Sequence, residues 1–187
     1  TKKKIRVIMI THIFGHPSNL DEILKLAKKF NLLVVEDAAE GIGSFYGDKH
    51  VGTFGTMGVL SFNGNKTITT GGGGIILTND KKLAYLAKHI SNTAKISHKW
   101  RYQYSDIGFN YRLPNINAAL GCAQLEKIED FLNSKRELFY KYNEVMASIK
   151  GVRLFKEPEN SKSNYWLQTI ILENGYENEL EDILEKT

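Results

Sequence analysis

Two side chains in this sequence are placed to do chemistry together. Asp37 ends an apolar run in Glu36-Asp37-Ala38-Ala39-Glu40, and Lys66 follows Ser61-Phe62-Asn63-Gly64-Asn65. Four glycines, Gly71 to Gly74, come soon after the lysine. Each forfeits backbone entropy without a side-chain contact, so the run suits neither a helix nor a strand interior. It suits a tight path past a neighbour, or a flexible turn between two buried strands. A lysine reaching into a site walled by glycine and apolar strands is desolvated, which makes its amine a nucleophile toward carbonyls. A carboxylate facing it across a flat heteroaromatic ring would keep a ring nitrogen protonated. A Walker loop is the competing reading of residues 58–67, but Asn65 separates Gly64 from Lys66 and the other glycines follow the lysine. Both departures argue against nucleotide hydrolysis.

The elements that position these residues follow from periodicity. Residues 5–10 are apolar but for Arg6, residues 32–35 are apolar throughout, and each reads as a buried strand. Between them lies a helix, with Ser18 as its N-cap, Asp21 at the capping-box position, and Leu20, Ile23, Leu24, Ala27 and Phe30 on one face. A strand-helix-strand unit with apolar strands predicts a parallel sheet covered by helices. Asp37 then stands at a strand's carboxyl end, where open α/β sheets bind ligands; its bland role there is a turn or helix cap.

Residues 41–58 read as glycine-rich loop, 57–62 as the strand before the lysine, and 74–78 as another strand. Asn79 or Asp80 caps a helix bearing Leu83, Leu86, Ala87 and Ile90. Residues 91–112 read as a long polar and aromatic loop. Pro114 opens one long helix reaching about Ile149, ended by Gly151. Residues 165–172 read as a strand and 177–185 as an acidic helix. The expected organisation is a large domain over 1–150 with a long linking helix, and the start of a smaller α+β domain over 151–187.

Composition bounds the class. The 187 residues are 42% hydrophobic and 25% charged, ordinary for a globular domain. The formal charge of +4 is spread among acidic residues with no basic stripe, which argues against nucleic acid. No apolar run is long enough to span a membrane. One cysteine, Cys122, excludes an internal disulfide and fits a reducing cytoplasm; its Ala/Leu-rich setting predicts a buried, inert thiol. His12 and His16 are four apart, but Gly15 and Pro17 disfavour a helix and no acid completes a metal set. The chain opens on Thr1, which reads as a fragment.

Several motifs taken together carry a family resemblance. Glu36-Asp37-Ala38-Ala39-Glu40, Gly52-Thr53-Phe54-Gly55, Ser61-Phe62 with Lys66, Thr70-Gly71 with Gly73-Gly74, and Gly108-Phe109-Asn110-Tyr111-Arg112-Leu113 resemble, in order and spacing, the DegT/DnrJ/EryC1/StrS sugar aminotransferases. The match covers nearly all of the first 150 residues. The resemblance implies a type I (aspartate aminotransferase-like) fold and pyridoxal 5′-phosphate as cofactor. It implies that Lys66 carries the cofactor and moves a proton, that Asp37 pairs with the pyridine nitrogen, and that Ser61 binds the phosphate. It sends Asn110 to the cofactor phosphate of a neighbouring subunit, hence a homodimer, and Arg112 toward the sugar nucleotide.

The wording of residues 61–74 looks most like the branch that aminates C4 of UDP-4-keto-6-deoxy-N-acetylglucosamine, with glutamate as donor, on routes to bacillosamine or legionaminic acid. Two positions depart from the usual pattern: Gly72 stands where many members have Glu, and Glu40 where many have His or Gln, near the ring's phenolic oxygen. The family also has a phosphate-binding helix upstream of Thr1 and a longer small domain. Two alternatives remain. The dehydratase branch carries His at the lysine position, against which Lys66 speaks; a non-catalytic binding or regulatory protein is the other.

Overall fold

The computed structural model describes residues 4–173 and 185. β1 (Val7–Thr11), α1 (Leu20–Phe30) and β2 (Leu33–Asp37) form the expected strand-helix-strand unit, with β1 and β2 parallel and Thr11 opposite Asp37. A hairpin of β3 (Phe45–Tyr46) and β4 (Lys49–His50) interrupts the glycine-rich stretch that reads as plain loop in the sequence. β5 (Met57–Ser61) lies parallel to β2, and β6 (Gly74–Leu77) antiparallel to β5, giving the order β1-β2-β5-β6. The antiparallel edge has a simple cause: β5 and β6 are joined by loop residues 62–73 with no helix to carry a crossover. Gly71 (φ 79°) and Gly73 (φ 96°) make that return in left-handed backbone, where an L side chain would be strained.

The core lies between this sheet and α1. Ile10, Leu20, Ala27 and Val34 are buried together, with Ile23, Leu24 and Phe54 packed against them. Phe30, expected on the same face, is 57% exposed at the helix end. The α1 cap is Asn19, whose side chain accepts from Glu22 N–H, and not Ser18. Ser18 Oγ is turned away, donating to the Thr11 carbonyl at 2.8 Å. α2 (Lys81–Ile90) is capped by Asp80, which accepts from the Lys82 and Leu83 amides.

The stretch after α2 is loop with a small hairpin, β7 (Lys95–Ile96) and β8 (Gln103–Tyr104). The single long helix of the sequence reading is two: α3 (Asn115–Leu125), opened by Pro114 as expected, and α4 (Ile128–Met146). The break falls at Lys127, whose φ of −111° and ψ of 10° leave helical space. No glycine or proline marks it, so composition could not reveal it. Cys122 is exposed rather than buried. Gly121 takes the inward position against Thr70, and the next residue points about 100° around the helix.

The last described part is β9 (Val152–Leu154), β10 (Ser161–Lys162) and β11 (Ile170–Leu172). β11 pairs with β9, and β10 extends the β3–β4 hairpin. The strand expected over 165–172 is therefore three residues long. Residues 163–166 form instead a strap without regular structure. The acidic helix expected over 177–185 lies outside the described residues, Glu185 apart. No described helix is long and apolar enough to cross a membrane.

Candidate active site around Lys66

The carboxyl ends of β2 and β5 deliver the two central residues. Asp37 ends β2, half-buried, and its Oδ1 accepts from the Ala39 N–H at 3.1 Å, which fixes the side chain in the turn. The Lys66 amide closes a turn on the Asn63 carbonyl at 3.1 Å, past the end of β5. Lys66 Nζ lies 3.4 Å from Glu40 Oε1, with both side chains mostly covered. Glu40 Oε2 accepts from the Phe14 N–H at 2.7 Å. Phe14 holds φ 57°, a left-handed conformation that costs a non-glycine residue about 1 kcal/mol and here accompanies the amide's contact with the carboxylate. The structure thus brings Glu40 to the lysine itself.

The other wall comes from far along the chain. The Trp166 ring lies over Lys66 Nζ, 4.0 Å from centroid to nitrogen, and its indole N–H donates to the Asn65 carbonyl at 2.7 Å. Asn164, fully buried, donates through Nδ2 to the Glu40 and Ile42 carbonyls (2.7 and 2.8 Å) and accepts from Trp166 N–H. Ser44 Oγ and Ser163 Oγ both donate to the Gly15 carbonyl, at 2.7 and 2.9 Å. The strap is tied on its other side to α4: Arg136 makes a two-pronged ion pair with Glu157 (2.8 and 3.1 Å) and donates to the Ser163 carbonyl, while Lys135 Nζ donates to the Trp166 carbonyl. Hydrogen bonding to Glu157 raises the Arg136 pKa against the opposing effect of burial, and burial lowers that of Lys135.

Beneath Asp37 sits a second polar cluster. Glu36 is fully buried and accepts from His12 Nε2 at 3.1 Å and from the Gly52 and Gly55 amides. A backbone N–H can only donate, so the Ser18 amide on His12 Nδ1 places the ring proton on Nε2, facing Glu36. Burial alone would raise the Glu36 pKa; the hydrogen bonds from His12, Gly55 and Gly52 outweigh it, and the carboxyl lies below its ordinary value. The cluster clamps loop 52–55 under the strand that ends in Asp37. His16 is buried edge-on between Phe155 and Tyr165, with neither ring nitrogen partnered among the described residues; burial pushes its pKa down to about 4, against the pull of Glu157.

Of the residues singled out from sequence, Lys66 and Glu40 are in contact. Ser61 stands at the end of β5, where its Oγ accepts from the Asn63 N–H at 3.3 Å and donates to no acceptor among the described residues. Asn110 and Arg112 are apart from this group: both are exposed, Arg112 Nε donates to Asn110 Oδ1 at 3.4 Å, and the Asn110 backbone bridges to Asn92. Arg112 borders a separate cleft of about 960 Å³ between the glycine run and α2, which neither Lys66 nor Asp37 lines. Sequence reasoning missed Trp166, Asn164, Phe14 and Arg136. Tyr165-Trp166, at the start of a stretch that reads as an ordinary strand, gave no sign of a wall over the lysine. Among the described residues no group of three potential ligands stands ready for a metal.

A donor set of one shielded amine, one strand-end carboxylate and one hydroxyl free to meet an anion fits a phosphorylated aromatic aldehyde. Comparisons with known proteins agree. The chain is 43% identical over 176 residues to a GDP-perosamine synthase of Escherichia coli O157:H7, covering 94% of this chain and 48% of the relative. It is 31% identical over 169 residues to a UDP-4-amino-4,6-dideoxy-N-acetyl-beta-L-altrosamine transaminase of Campylobacter jejuni, covering 90% and 45%. The structure of Helicobacter pylori PseC, an aminotransferase involved in the biosynthesis of pseudoaminic acid, superposes with a TM-score of 0.89 at 27% identity, over 97% of this chain and 49% of that one. The chain spans about half the length of the curated relatives it matches. Over residues 1–187 it matches the profile of one family, and it belongs to that family, the DegT/DnrJ/EryC1/StrS aminotransferases.

Proposed function

We propose that the protein containing this chain is a pyridoxal-phosphate-dependent aminotransferase that passes an amino group from glutamate to a nucleotide-linked ketosugar. One observation carries the reading: Lys66 Nζ is sequestered between the Glu40 carboxylate and the Trp166 ring, beyond the strand ends that bear Asp37 and Ser61. When bound, the cofactor supplies an electron sink for charge developing beside the transferred nitrogen. Lys66 Nζ would supply the amine that holds its aldehyde and the base that moves a proton. Asp37 offers a carboxylate to a ring nitrogen, and the Ala39 amide on Oδ1 holds it in place. Ser61 Oγ would donate to a phosphate oxygen. Glu40 holds Lys66 Nζ and the Phe14 amide together, and the Trp166 ring covers the amine.

Residues 1–150 would then form most of a cofactor-binding domain and 151–187 the start of a smaller one. The exposed Asn110 and Arg112 would serve the site of a second copy, Asn110 at its phosphate and Arg112 at its sugar nucleotide. The acceptor on the sequence reading is the C4 ketone of a UDP-linked 4-keto-6-deoxy sugar, used in surface glycan synthesis. The 43% identity to a GDP-perosamine synthase favours a GDP-linked ketosugar as the second reading.

The test is borohydride reduction of the cofactor-loaded protein followed by peptide mapping. A pyridoxyl mass on the Lys66 peptide, lost in Lys66→Ala, is expected; a label on another lysine overturns the assignment. UDP- and GDP-linked 4-keto-6-deoxy sugars offered in parallel with glutamate decide the nucleotide. Loading without any amination of either favours a binding protein.

A further inference from the structure

We infer that Trp166 is the positioning residue for the Lys66 amine, and that the strap carrying it is aimed by Asn164. The inference deepens the proposed site and rests on that reading for its role in catalysis, but its geometry stands alone. A lysine amine ends four rotatable carbon bonds, and a lone acceptor at 3.4 Å leaves it much freedom to swing. The Trp166 face supplies a second attractor from another direction, at 4.0 Å from the nitrogen. The two attractors differ in kind. Glu40 takes a hydrogen bond along one direction; the ring offers a broad negative face that holds a cation without consuming one of its N–H groups.

The ring's own pose is fixed from both ends. Its indole N–H is tied to the carbonyl of Asn65, the residue before the lysine, so ring and amine share one frame of reference. Its backbone N–H is tied to Asn164 Oδ1 at 2.8 Å, and its carbonyl to Lys135. Asn164 in turn grips the Glu40 carbonyl, so the residue that aims the ring also locates the backbone of the other attractor. Tyr165 between them is held at φ 47°, a left-handed conformation that the surrounding bonds sustain. Gly15 meshes with this knot: a Cβ there would fall 1.7 Å from Asn164 Oδ1, so its missing side chain is what lets the strap close. A tryptophan present only to fill a core would need none of this. Trp166 meets the amine with its face and the lysine's own turn with its N–H.

Trace acetic anhydride labelling of the whole protein, before cofactor is added, reads the clamp directly. Lys66 reactivity is measured by peptide mass against Lys81 and Lys82, exposed at the start of α2. Trp166→Leu removes the face and should raise Lys66 labelling about tenfold relative to those two, while Trp166→Phe, which keeps a face, should stay within about threefold of the parent. Unchanged labelling in Trp166→Leu, or equal labelling in the Leu and Phe variants, overturns the inference. Fluorinated tryptophans keep the ring's shape while draining its face of charge. Their incorporation should raise Lys66 labelling stepwise with fluorine number; a flat response overturns the inference without any question of folding. Because no cofactor enters these measurements, failure here leaves the borohydride result untouched, and failure there leaves this one untouched.

Discussion

At the scale of single residues, the site depends on neutral and charged groups held in fixed states. His16 shows it most directly. Folded, its pKa is about 4; unfolded, it returns to about 6.5. Between those values the unfolded chain binds a proton that the folded chain refuses, so stability rises with pH there. Its contribution is full above pH 6.5, shrinks as pH falls toward 4, and is lost below, about 3 kcal/mol in all. Urea unfolding of His16→Phe and parent at a series of pH values should show the variant's curve flatter over that window; parallel curves would remove His16 as a source. Asp37 and Lys66 each stand out in the sequence because a charge at the end of an apolar run and a lysine before glycines leave a mark on one stretch each. Trp166 was not. Its partner is the carbonyl of Asn65, and no local pattern encodes a contact made across 101 positions.

At the scale of elements, the strap 163–166 is held from two sides, and α4 supplies one of them. Arg136→Ala removes the paired bonds to Glu157 and the bond to the Ser163 carbonyl together. The ion pair is partly open to water, so the expected cost is modest, about 1–2 kcal/mol. Hydrogen exchange should report where it falls: the amides of 163–166 should exchange faster while those of β2 stay protected. Equal acceleration in both would mean that the strap does not open by itself. The strand-helix-strand unit was readable because two short apolar runs flank a segment whose apolar residues recur at the helical period. Ser18 and Asn19 are both good caps, and only geometry chose between them. The break at Lys127 was invisible because nothing in its composition disfavours a helix. Residues 165 and 166 read as part of a strand because the hydrogen bonds that shape the strap there go to side chains, which propensity does not count.

At the scale of the whole molecule, Asn110 and Arg112 face solvent rather than the lysine, and on the proposed reading they complete the site of a second copy. Mixed dimers test that. A Lys66→Ala subunit paired with an Asn110→Ala subunit puts both lesions in one site if Asn110 acts across the interface, and about half the parent activity should survive. If Asn110 acts within its own chain, each site carries one lesion and activity should fall far below half, which would end the shared-site account. The hydrogen bond from Ser163 to Gly15 spans 148 positions, and the tie from Trp166 to Asn65 spans 101. A polypeptide is made in one direction, so the amine leaves the ribosome well before the ring that shields it. At about 5–20 residues per second of synthesis, each new copy carries Lys66 without its cover for roughly 5–20 s. During that interval the lysine is open to any aldehyde the cell contains.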